Sequence, residues 1–228
     1  VVPAAGARND AAAVQAMRAI GILGGMFDPP HIGHLRIALE IYEGLGLEEV
    51  RLLPCFRPPH RAPTEAVASH RLEMAHLAVE AVEGLTVDDR EVSRAGVSYM
   101  VDTLLSLRTE LGEQPLCLVV GLDAFSKMTS WHRWQEFRDL CNIVVASRPS
   151  HDVDAIDTVL HELGMERCHA PEELDRHAAG YMLPLPVTQL AISSSMIRQL
   201  IKDGRSARFL LPDVVLEYIK NNRLYGAV

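Results

Sequence analysis

The chain has 228 residues, 48% of them hydrophobic, and a formal net charge of −8. That apolar share supports a packed core and excludes a disordered chain, and the lack of any apolar run near the roughly eighteen residues a spanning helix needs excludes a membrane span. The acidic balance argues against a general nucleic-acid binder, which carries a basic face, yet leaves room for a small polyanion wherever basic residues gather.

Residues 1–18 are alanine-rich, interrupted by Arg8, Asn9 and Asp10, without the charged start, apolar centre and cleavage site of a secretory signal. They read as a disordered or weakly helical leader ahead of a domain over residues 19–228, with Met17 close to a natural functional start. Ile20-Gly21-Ile22-Leu23 reads as a short buried strand; after it, Leu35, Ile37, Ala38, Leu39, Ile41 and Tyr42 recur at helical spacing. Between them lies Gly24-Gly25-Met26-Phe27-Asp28-Pro29-Pro30-His31-Ile32-Gly33-His34-Leu35. This is a strand-to-helix turn, where open α/β sheets bind ligands. Glycines without a Cβ let backbone approach a ligand closely, two prolines stiffen the approach to the helix, and a helix N-terminus offers free N–H groups and partial positive charge to a phosphate. His31 and His34 share a face of the first turn, so both imidazoles can donate hydrogen bonds to a phosphoryl group as it gains charge. The same pair is half a metal site, but no third ligand stands at a telling spacing; either histidine can also be a plain cap or surface residue.

Glu49-Val50-Arg51-Leu52-Leu53 is a second strand. The loop after it, residues 54–63, holds four prolines and three cations, Arg57, His60 and Arg61; read alone, it is a rigid solvated loop. Residues 70–82 form a helix with Leu72, Ala75, Val79 and Val82 on its apolar face, followed by a strand at Leu85-Thr86-Val87. Another helix opens at Ser98-Tyr99-Met100-Val101-Asp102-Thr103, with Ser98 as its cap. Residues 115–120 are a continuous apolar run, a central parallel strand, ending at Gly121-Leu122-Asp123. Asp123 is placed either to bind ribose hydroxyls or to cap the next turn. Both tryptophans follow: Trp134 and Phe137 have core spacing, and Trp131, beside His132, precedes them and can stack on a planar ring. Residues 142–146 are a strand with Arg148 just beyond its carboxyl end, and 152–163 and 171–179 are short surface helices. Ile192-Ser193-Ser194-Ser195-Met196-Ile197-Arg198 then opens a helix over 195–202 stopped at Gly204. Its serines are either simple caps or, with the free N–H groups and Arg198, a phosphate cradle. A last helix runs from about Pro212 to Asn222 and is followed by Leu224-Tyr225. Cys55, Cys117, Cys141 and Cys168 form no C-x-x-C pair, which fits reduced thiols in the cytoplasm. Alternating strands and helices make a doubly wound, Rossmann-like parallel sheet with a small C-terminal helical portion.

The first turn resembles the G-G-x-F-D-P-x-H-x-G-H signature of the nucleotidylyltransferase superfamily, and the chain as a whole looks most like the bacterial nicotinate-nucleotide adenylyltransferases over roughly residues 20–226. His60-Arg61 stands for the family's P-x-x-H-K-like motif, with arginine for lysine, and Ser98 to Thr103 for S-Y-T-x-D-T, with Met100 for threonine. Gly121 and Asp123 followed by Trp131 and Trp134 match G-x-D with W-x-x-W, and Ile192 to Arg198 match I-S-S-T-x-I-R, with Ser195 for threonine. The resemblance implies transfer of the adenylyl group of ATP to nicotinate mononucleotide, giving deamido-NAD and pyrophosphate, with Mg²⁺ accompanying ATP. It implies catalytic roles for His31, His34 and Arg198. ATP would lie against Gly24, Gly25, Phe27, His31, His34, Gly121, Asp123, Arg148, Ile192, Ser194, Ser195 and Arg198. The mononucleotide would lie against Met26, Asp28, His60, Arg61, Tyr99, Met100, Asp102, Thr103, Trp131 and His132, with Trp131 against the pyridine ring. No protein ligand for the metal stands out. Oligomeric state stays open between monomer and dimer. Phosphopantetheine and the amide mononucleotide are alternative acceptors, and a non-catalytic nucleotide sensor is the alternative from another class. The tetrapeptide His31-Ile32-Gly33-His34 also spells the class I aminoacyl-tRNA synthetase signature, but there is no room for a separate tRNA-binding region and the charge is acidic.

Overall fold

Ile20–Gly25 (β1) is an interior strand of the sheet and delivers the glycine pair to its carboxyl edge. The structure is a computed structural model that describes residues 17–59, 64–147 and 153–227. In order there follow α1 (Ile32–Leu45), β2 (Glu49–Pro54), α2 (Ala68–Val79), β3 (Leu85–Val87), α3 (Arg90–Arg94), α4 (Met100–Leu111), β4 (Leu116–Gly121), α5 (Leu122–Phe125), α6 (Phe137–Leu140), β5 (Asn142–Ser147), α7 (Val153–Leu163), β6 (Glu166–Arg167), β7 (Tyr181–Pro186), α8 (Ser194–Lys202) and α9 (Asp213–Asn221). The strands form one seven-stranded sheet among the described residues, ordered β3-β2-β1-β4-β5-β7-β6, and every pairing is parallel. The chain winds outward from β1 to β3, then returns to lay β4 on the other side of β1. The carboxyl ends of β1 and β4 are therefore a topological switch point, where adjacent loops part and leave a crevice.

Parallel strands bury both faces, and the two faces carry two cores. On one, Ile20, Ile22, Leu118 and Val145 pack under Val101, Leu104 and Leu107 of α4 and Leu160 and Leu163 of α7. On the other, Val50, Leu52, Val119 and Val144 pack under Ala38, Ile41 and Leu45 of α1. A third cluster joins Met74 and Ala78 of α2 to Ile197 and Ile201 of α8, Val215 and Ile219 of α9, and Tyr225. This is the C-terminal helical portion. Gly46, at φ 61°, closes α1 in the left-handed conformation that favours glycine.

Several boundaries depart from expectation. Tyr99, not Ser98, is the N-cap of α4, because the Ser98 hydroxyl accepts from Phe56 N at 3.0 Å and its own N–H reaches Arg57 O at 2.9 Å. Residues 171–176 form a 3-10 turn in place of a helix to 179. Residues 181–186 form β7 despite Pro184 and Pro186. Val187 N donates to Ser147 O at 3.0 Å, so residues 183, 185 and 187 face β5 with their N–H groups. The two prolines face the other side, beyond the end of the two-residue β6, where no partner needs a donor. Within the described residues no helix is long and apolar enough to cross a membrane.

Candidate active site

Gly24 and Gly121 are both exposed, at the ends of neighbouring strands. Among the described residues, a Cβ on Gly121 would meet nothing within 4 Å, and one on Gly24 would meet only the Met100 methyl at 3.1 Å. The crevice between β1 and β4 thus presents bare backbone. Met100, which departs from the resembled threonine, packs its methyl over the first glycine.

From β1 the chain turns through Met26, Phe27 and Asp28 into α1. Phe27 sits at φ 47° with its ring buried against Gly25, where a Cβ would come within 2.9 Å. The ring meets His34 edge-on, centroids 5.0 Å apart. His31 is the N-cap of α1 and His34 lies one turn in; the two imidazoles stack at 3.7 Å. Burial pushes both down from the ordinary histidine value, His31 to about 4 and His34 to about 3, the latter also because of its neighbour. Both are neutral at pH 7. Nδ1 of His34 accepts from His31 N at 3.3 Å, which leaves the proton on Nε2. Among the described residues Nδ1 of His31 is buried with no partner, and an unpaired lone pair is tolerated there better than an unpaired N–H. The His34 ring therefore carries an Nε2–H donor, and the His31 ring can present one beside it, at a helix N-terminus that favours negative charge.

The serine motif closes on this turn. Ser193 caps α8, its hydroxyl accepting from Met196 N at 3.2 Å. Ser194 Oγ donates to Pro29 O at 2.9 Å, and Ser195, exposed, lies 3.1 Å from Ser193 Oγ. Arg198 donates to Asp28 O at 2.7 Å and to Glu65 at 2.8 Å. Ile192 packs beside Gly33. On the crevice's other side, Tyr99 and His132 meet at 4.4 Å, Arg133 lies 3.5 Å from Asp102, and Trp131 is half-buried, edge-on to Phe137 at 6.0 Å. Asp123 is exposed in α5. His60, Arg61 and Arg148 lie outside the described residues.

Three expected ligand residues do other work with their side chains. Asp28 is 2% exposed and accepts from Glu65 N at 2.8 Å, Ala66 N at 3.1 Å and the Tyr225 hydroxyl at 2.7 Å. Thr103 is fully buried, donating to Glu91 at 2.6 Å and accepting from Arg94 at 3.2 Å. Phe27 offers a ligand only its backbone. The residue that sequence reasoning missed is Arg71, fully buried in α2, which donates to Met26 O at 2.7 Å, Phe56 O at 3.0 Å and Ala66 O at 3.2 Å. Its signal was faint: an arginine on the helix face that also carries Met74, Ala75 and Ala78.

The site is thus a switch-point crevice in a Rossmann-like sheet, with bare backbone, a histidine pair on a helix start and a serine-capped helix beside it. The Cytidylyltransferase-like family matches residues 22–200. The protein named "Probable nicotinate-nucleotide adenylyltransferase" from Methylococcus capsulatus is 49% identical over 208 residues, covering 91% of this chain and 99% of that one. Its namesake from Pseudomonas putida W619 is 50% identical over 214 residues, covering 93% and 97%. The chain belongs to the nicotinate-nucleotide adenylyltransferase family. The solved nicotinic acid mononucleotide adenylyltransferase of Plasmodium falciparum, complexed with NaAD, shares the fold, with a TM-score of 0.70 over 91% of this chain and 97% of that one at 16% identity.

Proposed function

We propose that the crevice between β1 and β4 joins ATP and nicotinate mononucleotide, and that His31 and His34 act on the α-phosphate between them. The observation that carries this reading is the stacked, neutral imidazole pair at the start of α1. The mononucleotide phosphate has a second pKa of about 6, so it is ionised at neutral pH and needs no general base. One of its oxygens attacks the α-phosphorus, forming a new P–O bond as the bond to the bridging oxygen breaks and pyrophosphate leaves. The Nε2–H groups donate to the α-phosphate oxygens as negative charge grows on them, without giving up their protons. The remainder is alignment of the two reactants.

Ser195, the exposed start of α8 and Arg198 would face the β,γ-phosphates, Arg198 exchanging its contact with Glu65 for one with phosphate. Tyr99, Asp102, Trp131 and His132 would form the mononucleotide side, the Trp131 ring against the pyridine. Among the described residues no three His, Cys, Asp or Glu side chains converge to hold a metal. Mg²⁺ would then draw its oxygens mainly from the triphosphate and water, where it neutralises phosphate charge.

Pyrophosphate release with ATP and Mg²⁺ tests the reading, comparing nicotinate mononucleotide, nicotinamide mononucleotide and phosphopantetheine. Turnover is expected to be fastest with the first and to fall by at least about a hundredfold in His34→Ala, the scale of a lost oxyanion donor. Preferred turnover of phosphopantetheine would refute the acceptor assignment, and ATP binding without turnover of any acceptor would turn the reading to a sensor.

A further inference from the structure

We propose that Tyr225 and Arg71 are positioning residues for the transfer, holding the histidine-bearing turn in register through Asp28 and its neighbours. The proposal rests on the reading that His31 and His34 face the α-phosphate. Tyr225 stands 197 positions from Asp28, yet its hydroxyl donates to Oδ1 at 2.7 Å. It reaches there because residue 225 takes φ 57°, a left-handed conformation uncommon outside glycine, which turns the ring inward to 7% exposure. Strain of this kind persists only where the surroundings enforce it.

Asp28 passes that hold to the chain on either side. Its two oxygens also accept from Glu65 N and Ala66 N, so the residues that follow the proline-rich loop are tied to the catalytic turn. Arg71 does the same from below. Its three nitrogens each take a different backbone carbonyl: Met26 in the turn, Phe56 at the start of the loop and Ala66 after its end. Among the described residues no carboxylate pairs with it. A buried guanidinium held by carbonyls alone is expensive compared with an apolar side chain of similar volume. What it adds is simultaneous geometry: one planar group fixes three segments that share no secondary structure. The turn so held is the one that sets the direction of His31 and His34.

A misplacement of about 1 Å in an aligned site can cost about a hundredfold in rate. Tyr225→Phe keeps the ring and removes only the hydroxyl. With ATP, Mg²⁺ and nicotinate mononucleotide, measured well below its melting temperature, we expect kcat to fall about tenfold or more while both KM values stay within about twofold. A role in packing alone would lower the melting temperature and leave kcat within about twofold of wild type, and that result overturns the proposal. A rise in KM with unchanged kcat overturns it equally, since it would place the hydroxyl in ground-state binding. Asp28→Asn decides by the same criterion should Tyr225→Phe not fold. His34→Ala run in parallel separates the layers. If it keeps wild-type kcat, the site reading itself fails; if it loses activity while Tyr225→Phe does not, only the positioning role fails.

Discussion

His31 and His34 gain from burial what they lose as bases. A histidine whose folded pKa is depressed binds protons more readily when unfolded, so its contribution is present above the ordinary value near 6.5 and is lost as pH falls towards about 4 for His31 and about 3 for His34. Stability measured by urea midpoint should therefore drop between pH 6.5 and 4, by up to about 1.4 kcal/mol per pH unit per histidine, and the slope should lessen in His34→Gln. The rate should show a different dependence. Neutral donors have nothing to titrate near pH 6.5, so kcat/KM should fall only as the substrate phosphate protonates below about pH 6. A rate that rises with acid would mean imidazolium is the active form. Glycine positions separate packing from ligand approach in the same turn. Gly25→Ala drives a Cβ to 2.9 Å from the buried Phe27 ring and should cost about 1–3 kcal/mol in a thermal melt. Gly121→Ala meets nothing within 4 Å among the described residues; its melt should match wild type, so any loss of activity reports contact with substrate. The placement of the histidines, glycines and serines at strand ends and helix starts was legible because it follows from residue type and local spacing. The internal partners of Asp28 and Thr103 were not, because a carboxylate or hydroxyl looks the same in sequence whether it meets a ligand or a backbone N–H.

Among the elements, those with strong period or strong punctuation were readable. β1, β4 and β5 are built on apolar runs, β2 on Val50, Leu52 and Leu53, and α1 has its apolar stripe. β7 was not readable, because two prolines remove two donors and only the sheet order reveals that those donors had no acceptor to meet. Caps divide along the same line. Ser193 and Ser98 both precede helices, but only Ser193 caps one; the other hydroxyl is taken by Phe56 N from a loop 42 positions away. Ser193→Ala should lower stability by about 1 kcal/mol in chemical denaturation, whereas Ser98→Ala should leave α4 helicity intact and loosen the loop after β2.

Among the described residues, two cores pack on the faces of one sheet and a third lies beside the turn after β1. That third core joins α2, α8, α9 and Tyr225, so the end of the chain completes the surroundings of the first turn. Removing residues 224–228 deletes a buried aromatic and should cost about 3–5 kcal/mol, read from the urea midpoint. A truncated protein with unchanged stability would detach the third core from the fold. Composition, periodicity and turn chemistry by themselves determined the α/β class, the strand-to-helix turn, its histidines and the serine-capped helix, since each depends on residues within a few positions of one another. Only the tertiary structure decided that Asp28 turns inward, that Arg71 binds three loops and that Tyr225 reaches the first turn. Those are contacts between residues far apart in the chain, and their energies come from burial, which no local pattern encodes.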